Sequence, residues 1–97
     1  MNKLEVLKTA LTAREEEIAG YQINIDNYTL AIKQIEEKNT TDSDIDVALR
    51  EFSVQLQTLL QQHLVEQAKT QVIYHRLHNA IAKLAGNMIG LLGSSTQ

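Results

Sequence analysis

The segment Asn39-Thr40-Thr41-Asp42-Ser43-Asp44 is the one strong interruption in a chain of 97 residues that contains no proline. Short polar side chains of this kind bond their own backbone, which favours turns and caps over helix interiors. Ser43 or Asp42 suits the N-cap of a following helix. Asp44 and Asp46 would place negative charge in its first turn, where the helix dipole favours it.

On the N-terminal side of this break, Leu4, Leu7, Leu11, Ile18, Tyr21, Ile25, Tyr28, Ile32 and Ile35 fall on one heptad seam, interrupted by Arg14. A seam held in phase over five heptads is a coiled-coil signal. It predicts a helix over about 3–38, about 55 Å long at 1.5 Å per residue. Gly20 sits inside it at a cost of about 1 kcal/mol relative to Ala. On the C-terminal side the seam is Ile45, Leu49, Phe52, Leu56, Leu59, then His63, Glu66 and Thr70, and again Ile73, Leu77, Ala80 and Leu84. Leu56, Leu60, Leu64, Ala68 and Val72 make a competing run of fours, which drifts around a helix. The prediction is a turn at 39–43, a helix over about 44–92 and a tail at 93–97.

A short connection makes two long helices antiparallel neighbours. The expected fold is therefore all-α, a single helical-hairpin domain spanning 1–97. Folding about Thr41 would bring Leu4 and Leu7 near Leu77 and Ala80, and Tyr28 near Leu56. Residues 1–51 hold eleven acids and six bases, whereas residues 52–97 hold Glu66 against Lys69, Arg76 and Lys83. In that register Glu5 faces the height of Arg76, and Glu15, Glu16 and Glu17 that of Lys69.

One stripe per helix does not absorb all the apolar side chains. Val6, Ile23, Leu30, Val54, Leu60, Leu64, Val65 and Ile81 lie off the seams. From Ser53 to Val72 the charges are Glu66 and Lys69 alone, with Gln at 55, 57, 61, 62, 67 and 71. Solvated helix faces normally carry Glu and Lys. This face predicts a helix covered on several sides, and so a homo-oligomer with a four-helix or larger core.

Four groups of residues are candidate sites. Arg14, Tyr21, His63, Glu66 and Thr70 interrupt the seams at about one level and would form a polar layer that sets register, with Arg14 reaching Glu66. The competing use of that layer is a polar ligand pocket inside a bundle. Lys69, Arg76 and Lys83 are seven apart and, with His75, make a candidate anion site. Ala82, Gly86, Ile89 and Gly90 lie in the apolar stretch Ala80–Gly93, where small residues four apart permit close helix contact with a partner or another copy. His75 and His78 share a helix face, but no Glu-x-x-His pair and no Cys accompany them, so no metal site is expected.

With no Cys, disulfides and thiolate metal sites are excluded. A net charge of -3 argues against a nucleic-acid backbone binder. The stretch Ala80–Gly93 is shorter than a bilayer span and includes Lys83. The residues before Ala13 show no secretory pattern, and a cytoplasmic location is the default expectation. No glycine-rich phosphate loop, zinc-binding HExxH or nucleophile elbow is present. The Trp-x-Gly turn of secreted helical hairpins is also absent, since the chain has no Trp. Small phage accessory proteins and secretion chaperones are similar in style. The expectation is a non-enzymatic protein without cofactors. It would bind itself and another protein, as an adaptor, chaperone or inhibitor. The competing expectation is a binder that sequesters an anionic metabolite or nucleotide between subunits.

Overall fold

The computed structural model describes residues 2–37 and 40–95, with side chains described as far as residue 86. It contains two helices, α1 over Lys3–Glu37 and α2 over Ser43–Ser95. They pack as an antiparallel hairpin, so the all-α hairpin expected from the heptads is the observed fold.

Both helix starts are capped by side chains. Asn2 Oδ1 accepts the Glu5 amide at 2.8 Å, and Asp42 Oδ1 accepts the amides of Asp44 and Ile45 at 3.0 and 3.1 Å. Asp42 is therefore the N-cap of α2, with Ser43 as the first helical residue. Thr40 Oγ1 accepts the Asp42 amide at 3.2 Å and tightens the approach to the cap. Lys38 of the expected first helix and Asn39 of the expected turn lie outside the described residues, as do residues 96 and 97 of the expected tail. At its other end α2 continues to Ser95, past the expected end near residue 92. No described glycine takes a positive φ. Gly86, Gly90 and Gly93 thus weaken the helix without ending it, because no proline follows to remove its hydrogen bonds.

Cα packing divides the hairpin into two units. The first, 19–68, contains the turn and packs the end of α1 on the start of α2. Ile25 on α1 and Leu56 on α2 are its buried large apolar side chains among the described residues, and Ser53 and Gln67 are also buried. The second unit, 1–18 with 69–97, packs the start of α1 on the later part of α2. Leu4, Leu7, Leu11 and Ile18 are half-buried there, as are Tyr74, Leu77, Ile81 and Leu84, and Thr70 is buried.

The α1 seam is occupied as its heptads predict, from Leu4 to Ile35. The α2 seam differs. Leu49, Leu56, His63, Thr70, Leu77 and Leu84 do turn inward, but the row that accompanies them is Ser53, Leu60, Gln67, Tyr74 and Ile81. The expected companions Ile45, Phe52, Leu59, Glu66 and Ile73 are exposed. Both rows flank the shared row at helical spacing, three residues to one side or four to the other. Apolarity alone favours the row with Phe52, yet α1 lies against the row with Gln67.

The register differs too. Folding about Thr41 sets Gln22 level with Leu60 and Glu17 level with Val65. Instead, Gln22 bonds Gln67 in the first unit, and Glu17 bonds Thr70 in the second. The offset is between one and two helical turns of 3.6 residues. The turn is not a point: the first turn of α2 extends past the end of α1, leaving Ile45 and Val47 half-exposed.

The cap makes a direct test. Asp42→Ala removes an acceptor shared by two amides and should cost about 1 kcal/mol in urea denaturation, while Asp42→Asn should cost a few tenths.

Candidate functional site

In unit 19–68 two of the candidate polar residues, Tyr21 and His63, come together. The His63 ring stands between Tyr21 and Tyr28, one heptad apart on α1. The centroids are 5.8 and 5.1 Å away, and both contacts are edge-to-face at 76° and 74°. His63 Nδ1 lies 2.8 Å from the Leu59 carbonyl oxygen. A carbonyl only accepts, so this contact places a proton on Nδ1. One turn on, Gln67 Nε2 donates to Gln22 Oε1 at 3.0 Å. Gln22, Tyr28 and Gln67 were not among the expected site residues. The signal for Gln67 was its place in the row Leu60, Gln67, Tyr74.

In the other unit Thr70 is buried and its hydroxyl donates to Glu17 at 3.4 Å. Arg14, expected to reach Glu66, is held by Glu17 at 3.1 Å along its own helix. Glu66 belongs to the exposed companion row, so it is not part of a buried layer. Among the described residues no buried polar side-chain atom lacks a partner.

Lys69, His75, Arg76 and Lys83 are all exposed. Neither Arg76 nor Lys83 forms an ion pair with Glu5, Glu15, Glu16 or Glu17, as the charge asymmetry suggested. The cause is the companion row. Had α1 packed on the row with Phe52, the basic row would have bordered the contact; packing on the row with Gln67 turns it to solvent. His75 packs its ring near Tyr74, at 5.4 Å between centroids, and His78 lies 6.1 Å from the same ring. The described residues hold no group of three or more metal-binding side chains.

Ala82 and Gly86 are exposed, and a Cβ built on Gly86 meets nothing within 4 Å. No close helix approach inside the described residues requires a small residue there. Ile89 and Gly90 lie on the α2 backbone, beyond the described side chains. No described helix is long and apolar enough to cross a membrane.

The feature with the largest extent is apolar exposure. Phe52 is 50% exposed, Val54 61% and Ile23 61%, and Ile45, Val47, Leu59, Leu64 and Val65 join them in unit 19–68. A groove of about 460 Å³ runs beside Phe52, lined by Ala31, Gln34, Ile35, Glu37 and Leu49. On the other side of the same helix pair the lining mixes Glu36, Asp46, Arg50, Ser53 and Gln57 with Ile35, Leu49 and Val54. The off-seam set legible in the sequence included Ile23 and Val54. It missed Phe52, whose heptad position had placed it inside.

Equilibrium unfolding separates bonded core groups from surface ones. Gln67→Ala leaves Gln22 without its acceptor role and opens a hole, and should cost about 2 kcal/mol. Arg14→Ala breaks a part-exposed pair on one helix and should cost less than about 1 kcal/mol. Equal costs would mean that Arg14 belongs to the buried layer after all.

No protein-family model, no curated protein and no solved structure matches this chain.

Proposed function

We propose that this protein acts by association, as a homo-oligomeric helical bundle that binds another protein, in the manner of an adaptor, chaperone or inhibitor, and that it performs no catalysis. The observation that carries this reading is the balance of apolar burial. Among the described residues, twelve large apolar side chains are more than a third exposed, against two that are buried. Apolar side chains left in water at this density mark interaction surfaces.

The exposed basic row supports a second reading, an anionic ligand held between subunits, because Arg76 and Lys83 are not committed to the acids of α1. Melting temperature measured with and without nucleotides separates the two. A rise that grows with nucleotide concentration supports the second reading, since ligand binding to the folded state stabilises it by mass action.

Sedimentation equilibrium at tens of micromolar should show a species larger than the 10.9 kDa chain, and the melting temperature should rise with protein concentration. A folded monomer throughout that range would overturn the proposal.

A further inference from the structure

We draw no further inference here: the strongest candidate, the apolar groove beside Phe52 between α1 and α2 in unit 19–68, carries none because nothing in the structure shows what covers it.

Discussion

Two helices can cover only the stripe that each turns to the other, and α2 carries more apolar rows than α1 can reach. The shared row Leu49, Leu56, Leu77 and Leu84 has a flanking row on each side, and both contain large side chains. A single neighbour must leave one flank in water. The flank left open holds Ile45, Phe52, Leu59 and Ile73. From this constraint come the sparse core, the exposed groove beside Phe52 and the basic row turned outward. Fully burying one such side chain is worth roughly 1.5–3 kcal/mol, which is large against the net stability of a small domain.

The buried contact is partly polar. Ser53 and Gln67 of the closed flank and Thr70 of the shared row are buried, and His63 of the shared row stands between two tyrosines. A leucine seam can slide by one heptad and still match apolar groups, because its pattern repeats. A glutamine that must meet Gln22 and a threonine that must meet Glu17 do not repeat along the helices. Displacing them would bury unpaired polar groups at about 1–3 kcal/mol each. These contacts add little net stability over an apolar seam and penalise the alternatives.

Charge has a different role from the one its distribution suggests. The acidic α1 and the basic end of α2 look like matched partners; among the described residues, Arg14 with Glu17, Lys33 with Glu37 and Arg50 with Asp46 are ion pairs between neighbours on the same helix. Such exposed pairs contribute a few tenths of a kcal/mol. What charge does specify in unit 19–68 is a side. Glu36, Asp46 and Arg50 line one side, and on the side of the groove beside Phe52 the charged lining residue is Glu37.

The sequence by itself determined the two helices, the break between them and the inward row of α1. Those depend on local rules: heptad spacing, the absence of proline, and an aspartate able to cap α2. It also showed that apolar side chains exceed what one hairpin can hold. It could not choose between the two flanks of α2, because Phe52 and Gln67 sit almost symmetrically about the shared row and single-helix periodicity weighs only apolarity. Nor could it set the register, since a shift of about one heptad preserves the phase of both seams. Tertiary structure decided these points through contacts between residues more than forty positions apart, Gln22 with Gln67 and Glu17 with Thr70. Hydrogen bonds depend on position, whereas apolar contacts are largely interchangeable along a repeating seam, so the polar residues settled the face and the register that the leucines left open.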